Sequence, residues 1–217
     1  MIDSEPVRLA IESGNADRLR ILVTTNVEAA NTPVVWGDGN NVTDPLHYVS
    51  DCYFNHTITD RQAQSMATVL LAAGARVDGD PAREAPLLGA TSLGAGIVAD
   101  ILIEAGADIS QTSIFGANAL HWAAYMGLRG TIQKLLAVGA PVDQRCTEFQ
   151  ATALFWAAQG FSRHGPDPKR EQVGAAHVLL DHGADPQTKN VEGVSVLERA
   201  GDAESIEMVA LISRYLR

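Results

Sequence analysis

The chain is poor in several residue types, and each shortage excludes a class of protein. Cysteine occurs only twice in 217 residues, at Cys52 and Cys146. Two such distant thiols do not make a disulfide-stapled scaffold, and reduced thiols in the cytoplasm are expected. Basic residues number 16 against 26 acidic ones, a formal charge of −10. Nucleic-acid binding rests on cationic contacts to phosphates, and no basic cluster here exceeds Lys169-Arg170, so no nucleic-acid partner is expected. Apolar runs stop far short of the ~18 residues that cross a bilayer, so no membrane association is expected. The opening residues, Met1-Ile2-Asp3-Ser4-Glu5-Pro6, lack the basic and apolar regions of a secretory signal. There is no His-Glu-x-x-His, no Cys-x-x-Cys and no phosphate-cradling loop ending in Lys-Ser/Thr. The six histidines, at 47, 56, 121, 164, 177 and 182, show no metal-ligand spacing. The expectation is a protein that is not an enzyme and uses no cofactor or metal.

What is present is a phrase that returns about every 33 residues. Leu70-Leu71-Ala72-Ala73-Gly74-Ala75 comes back as Ile101-Leu102-Ile103-Glu104-Ala105-Gly106-Ala107-Asp108, as Leu135-Leu136-Ala137-Val138-Gly139-Ala140, and as Leu179-Leu180-Asp181-His182-Gly183-Ala184-Asp185. A period of this length signals stacked repeats, none of which buries its apolar face alone. Leu120, Ala123 and Ala124 stand at i, i+3 and i+4, one face of a short helix. Ile132, Leu135 and Leu136 do the same on a second helix, and Gly139 follows where a helix end favours a left-handed residue.

Between these phrases lie Thr43-Asp44-Pro45-Leu46-His47-Tyr48, Asn118-Ala119-Leu120-His121-Trp122-Ala123-Ala124 and Thr152-Ala153-Leu154-Phe155-Trp156-Ala157-Ala158, with a weaker copy at Glu84-Ala85-Pro86-Leu87-Leu88-Gly89-Ala90. Together they resemble the Thr-Pro-Leu-His-x-Ala signature of ankyrin repeats. The resemblance implies an all-α repeat solenoid, each unit a β-turn or hairpin finger followed by two antiparallel helices. It makes His47 and His121 structural, hydrogen-bonded within the repeat. Six units are expected in one domain, at about 4–38, 39–79, 80–112, 113–146, 147–189 and 190–217. The two end units depart from the signature, as caps with one uncovered face must. Uneven glycine spacing places insertions near 29–41, 52–60 and 161–170. The first carries Trp36 among glycines and asparagines; it either contacts a partner or folds back over the first repeat.

The resemblance further implies a concave surface of fingers and first helices where partners dock. Two places after each repeat leucine stand Tyr48, Gly89, Trp122, Trp156 and Arg199, an aromatic row broken by one glycine. Tyr125 and Met126 lie at i+3 and i+4 from Trp122 and share its side; Leu93 occupies the corresponding place one repeat earlier. Phe115 and Phe149 sit in register on finger tips. Trp122 and Trp156 serve either the core or a contact surface, whereas Tyr125, Met126 and Phe115 are expected to be exposed contacts. Tyr, Trp, Phe and Met are types enriched at protein interfaces. Gly89 would leave a gap one side chain deep beside Tyr48 and Trp122.

The function that follows is a cytoplasmic, monomeric scaffold that binds another protein through its concave face and fingers. Two other readings stand beside it: a small-molecule or peptide sensor using the gap at Gly89, and an inhibitory or immunity partner of a protein encoded nearby.

Overall fold

The computed structural model describes residues 3–37, 39–164 and 171–216. The chain divides into two compact units, Met1–Asp108 and Ile109–Arg217.

The first unit contains helices α1 (Glu5–Glu12), α2 (Ala16–Thr25), α3 (Pro45–Phe54), α4 (Asp60–Ala72), α5 (Pro86–Ser92) and α6 (Gly96–Glu104). They form three antiparallel pairs. First helices α1, α3 and α5 lie side by side, and so do second helices α2, α4 and α6. Local chemistry sets the helix starts. Pro45 and Pro86 occupy the first helical position of α3 and α5, where a missing N–H costs nothing. Thr59 and Gln62 form a reciprocal capping box at α4. The expected insertion at 29–41 contains a two-stranded hairpin, β1 (Val34–Trp36) and β2 (Asn41–Thr43), in which Val35 faces Val42. The expected insertion at 52–60 is divided between the end of α3 and the tight turn into α4. Ile11, Leu19, Leu46, Met66, Leu70, Leu87 and Leu102 are fully buried at the centre of this unit.

The second unit repeats the plan with α7 (Ala119–Met126), α8 (Arg129–Ala137), α9 (Ala153–His164), α10 (Gln172–Asp181), α11 (Val196–Asp202) and α12 (Ile206–Tyr215). Again α7, α9 and α11 are neighbours, as are α8, α10 and α12. Leu120, Ile132, Leu135, Leu154 and Leu179 fill its core. The third expected insertion begins as helix, because α9 continues through His164; residues 165–170 lie outside the described residues. Gly139 ends the α8 segment at φ 96°, and Gly74, Gly106 and Gly183 hold the same left-handed place. Among the described residues the two units hold six such helix pairs. Among the described residues, no helix is long and apolar enough to cross a membrane, and no group of three His, Cys, Asp or Glu could hold a metal ion. Cys52 and Cys146 are both buried and free.

Candidate functional site

The helix period aims the site of the second unit. On α7, Ala119, Leu120, His121, Ala123, Ala124 and Met126 are buried, which leaves Trp122 and Tyr125, three residues apart, as a half-buried stripe. The same positions on α9 hold Trp156, which is buried at 6% exposure, and half-buried Gln159; on α11 they hold half-buried Arg199 and exposed Asp202. Opposite them stand the fingers, tied together by backbone hydrogen bonds. The Glu148 N–H donates to the Phe115 carbonyl at 3.1 Å, and the Val191 N–H to the Phe149 carbonyl at 2.8 Å. This ladder brings Phe115 and Phe149 to a centroid separation of 5.1 Å.

Between stripe and fingers lies a cavity of about 340 Å³. Its walls are Phe115, Trp122, Tyr125, Phe149, Phe155 and Trp156, and its polar lining is Gln159, Asn190, Glu192 and Arg199. Trp122 and Trp156 meet edge to face at 4.9 Å and 76°. The Trp122 indole N–H donates to the Ser113 hydroxyl at 2.7 Å, which fixes the ring. The Arg199 guanidinium lies 5.7 Å above the Phe155 ring. Phe115 adopts φ 66°, ψ 3°, a left-handed backbone that costs a side-chain-bearing residue about 1–2 kcal/mol. What this conformation achieves is to aim the ring at Phe149, Trp122 and Trp156.

The first unit is different in character. Trp36 is half-buried on β1, its ring 5.7 Å from that of Tyr48. Its indole nitrogen is buried without a hydrogen-bond partner among the described residues. The Tyr48 hydroxyl donates to Glu12 at 2.6 Å, and burial together with that bond raises its pKa far above the usual phenol value. Burial also pushes the Cys52 thiol up to about 11, so it is a protonated, inert group at neutral pH.

His47 and His121 occupy the same repeat position in opposite charge states. His121 is buried. Its Nε2 lies 3.1 Å from the Gln144 carbonyl and 3.2 Å from that of Ala151, and its Nδ1 accepts from the Asn118 N–H at 3.2 Å. Burial outweighs these bonds and lowers its pKa to about 4. Burial lowers that of His47 too, but hydrogen bonds to Asp51 (3.1 Å) and Glu84 (3.2 Å) outweigh it and raise the pKa to about 9. Both histidines are structural, but their bonds are not confined to one repeat as expected: His47 reaches Glu84 and His121 reaches the Ala151 carbonyl, each in the following repeat.

Two sequence expectations change here. Met126 is buried at 6% exposure, not presented to solvent. The last turn of α7 is covered by α9 and by the start of α10, where the Gln172 side-chain amide donates to the Tyr125 carbonyl at 3.3 Å. The expected gap at Gly89 is filled as well. Gly89 is buried, and a Cβ added there would lie 2.3 Å from His47 Nε2. The absent side chain makes room for an imidazole of the protein itself. Leu93 is half-buried at the end of α5.

Thus Phe115, Trp122, Tyr125, Phe149 and Trp156 come together, while Trp36 and Tyr48 form a separate pair in the first unit. Arg199 ends the row that register gives, and the structure brings it to the cavity. Phe155, Gln159, Asn190 and Glu192 were not among the expected site residues. Register could have found two of them. Glu192 stands five places before Leu197, as Phe115 and Phe149 do before their leucines, and Phe155 takes the place of the repeat histidine.

Comparison with known proteins agrees with this architecture. Residues 87–190 match the family model of ankyrin repeats in three copies. A crystallised ankyrin repeat domain from Acinetobacter baumannii superposes with a TM-score of 0.70, covering 98% of each chain at 20% identity. Palmitoyltransferase Hip14 of Drosophila melanogaster is 36% identical over 96 residues, 44% of this chain and 14% of the relative. CAP-Gly domain-containing linker protein 3 of Mus musculus is 30% identical over 171 residues, 74% of this chain and 27% of the relative. The chain therefore spans between about a seventh and a quarter of the length of these curated relatives. It carries ankyrin repeats at 87–190 and has the ankyrin-repeat fold over almost its whole length. Ankyrin repeats are in general non-enzymatic modules of protein–protein interaction.

Proposed function

We propose that this chain binds a protein partner through the fingers and first helices of its second unit, with the aromatic cavity as anchor site. The observation that carries the reading is the cavity itself. Six aromatic side chains converge on a partly open space of about 340 Å³, although only 6% of the chain is aromatic. Phe149 remains 37% exposed beside it. Large aromatic side chains in pockets are the usual anchors of protein interfaces, and here the ladder of fingers holds Phe115 and Phe149 while α7 and α9 hold the other four before binding, which limits ordering cost.

Charge supports the same reading and narrows the partner. Residues 1–108 hold 15 acidic and 6 basic side chains, a formal −9, while residues 109–217 hold 11 and 10, a formal −1. A partner segment with basic residues and at least one large apolar side chain complements this division. Two buried free thiols suit a reducing cytoplasm.

The test is affinity capture from the native cell, wild type beside a Phe115→Ala/Tyr125→Ala/Phe149→Ala variant whose fold is checked by circular dichroism. A protein retained by wild type and lost by the variant, then shown to bind in purified form, supports the site. Equal retention by both removes it from the aromatic cavity.

A further inference from the structure

We propose that the aromatic cavity of the second unit is also a small-molecule site for a zwitterion, a quaternary ammonium group linked through a few carbons to a carboxylate. This goes beyond protein docking but uses the same cavity. Trp122, Tyr125 and Trp156 meet pairwise at 76°, 85° and 71°, with centroids 4.9, 6.0 and 5.9 Å apart. These three nearly orthogonal rings all line the one cavity, so a group seated there is in contact with more than one aromatic side chain. Aromatic faces carry the negative part of the ring quadrupole and attract cations. A trimethylammonium group suits such a cavity, being bulky, close to spherical and weakly hydrated. A primary ammonium would have to surrender strong hydration to enter.

The rest of the lining selects the other half of the ligand. Glu192 and Arg199 are the charged residues that line the cavity, and their signs are opposite. Glu192 adds to the attraction for a cation. Arg199 would repel a bare cation, but it complements a carboxylate on the same molecule. Its Nε is buried without a hydrogen-bond partner among the described residues, and its nearest carboxylate, Asp202, stands 3.8 Å away, beyond hydrogen-bond reach. A purely apolar ligand would leave this guanidinium under-satisfied. A volume of about 340 Å³ falls in the range of small-molecule sites.

Calorimetry and tryptophan fluorescence test this on the intact chain with three probes: 4-(trimethylammonio)butanoate, its neutral-headed carbon isostere 5,5-dimethylhexanoate, and tetramethylammonium. The zwitterion should bind about tenfold tighter than the isostere, as a desolvated cation–π contact predicts, and tighter than tetramethylammonium. Arg199→Met should remove its advantage over tetramethylammonium, and Glu192→Gln should weaken both cations; the fold of each variant is checked by circular dichroism. Equal binding of zwitterion and isostere overturns the proposal yet leaves an accessible apolar cavity for a protein anchor. An unchanged preference in Arg199→Met overturns the pairing with the carboxylate. No binding or fluorescence change with any probe overturns the proposal and removes the open cavity on which the docking reading also rests.

Discussion

A single repeat position carries two opposite electrostatic designs. His47 and His121 each follow a repeat leucine, yet one is charged and the other neutral at pH 7. The difference comes from their neighbours. Four residues on, His47 meets Asp51 where His121 has Tyr125. Three residues before the next repeat leucine, His47 meets the Glu84 carboxylate where His121 meets only the backbone carbonyl of Ala151. Linkage converts this into pH dependence. The folded pKa of His47 is about 9 against 6.5 unfolded. Its stabilisation is therefore complete below pH ~6.5 and lost as pH rises through ~9, a change on the order of 2 kcal/mol after allowing for the exposure of Glu84. His121, at about 4 against 6.5, works the other way. Its contribution is present above pH ~6.5 and lost on acidification through ~4, with a similar magnitude. Histidine ring NMR titrations check both values, and a His47→Gln variant should lose the alkaline slope of the denaturation midpoint while keeping the acid one. Phe115 supplies a second residue-scale prediction. Replacement of a buried Phe by a small residue usually costs about 3–5 kcal/mol, but Phe115 is half-buried at φ 66°, where glycine is unstrained. Phe115→Gly should change stability by less than about 1 kcal/mol in urea melts while weakening partner binding at least about tenfold, as loss of an anchor does.

At the scale of elements, close helix approach depends on small residues. A Cβ at Gly160 on α9 would lie 2.0 Å from the Tyr125 carbonyl oxygen, a backbone atom that cannot swing aside. Gly160→Ala should therefore force α7 and α9 apart and cost about 2–3 kcal/mol by thermal melting, the range of overpacked cores. It should also quench the near-UV circular dichroism of the Trp122–Trp156 pair, since the two rings sit on those two helices. In the first unit, one loop is held by charge. Asp44 is buried, accepts two bonds from Arg83 at 3.0 and 3.3 Å, and takes the Asp80 N–H at 2.8 Å. Removal of Arg83 leaves a buried carboxylate with one backbone partner among the described residues. Arg83→Met should cost about 2–4 kcal/mol in urea denaturation, most of it desolvation of the stranded charge.

For the whole molecule, the division of charge and aromatic surface along the chain predicts kinetics. If the partner is basic, as the formal −9 of residues 1–108 suggests, association should slow by about tenfold or more between 50 and 500 mM salt, with much smaller change in dissociation; stopped-flow mixing reads this. The fold itself was legible in the sequence, because a repeat writes the same leucines, alanines and glycines at the same places, and each copy votes for one local geometry. Much of the site was legible too, since Phe115, Phe149, Trp122 and Trp156 stand in register and register becomes adjacency when repeats stack. Two things were not. Met126 lies on the same side of α7 as Trp122 by helical spacing, but burial is a property of what covers a helix, and its cover comes from α9 and α10. Gly89 read as a vacancy because a missing side chain is visible in one dimension, whereas the His47 ring that fills the space comes from the neighbouring repeat. The sequence by itself determined the repeat, the helix pairs and the rows of side chains, all matters of period and local conformation. Only the tertiary structure decided which rows remain open, which histidine holds its proton and which rings meet at right angles, because these depend on atoms brought close by stacking.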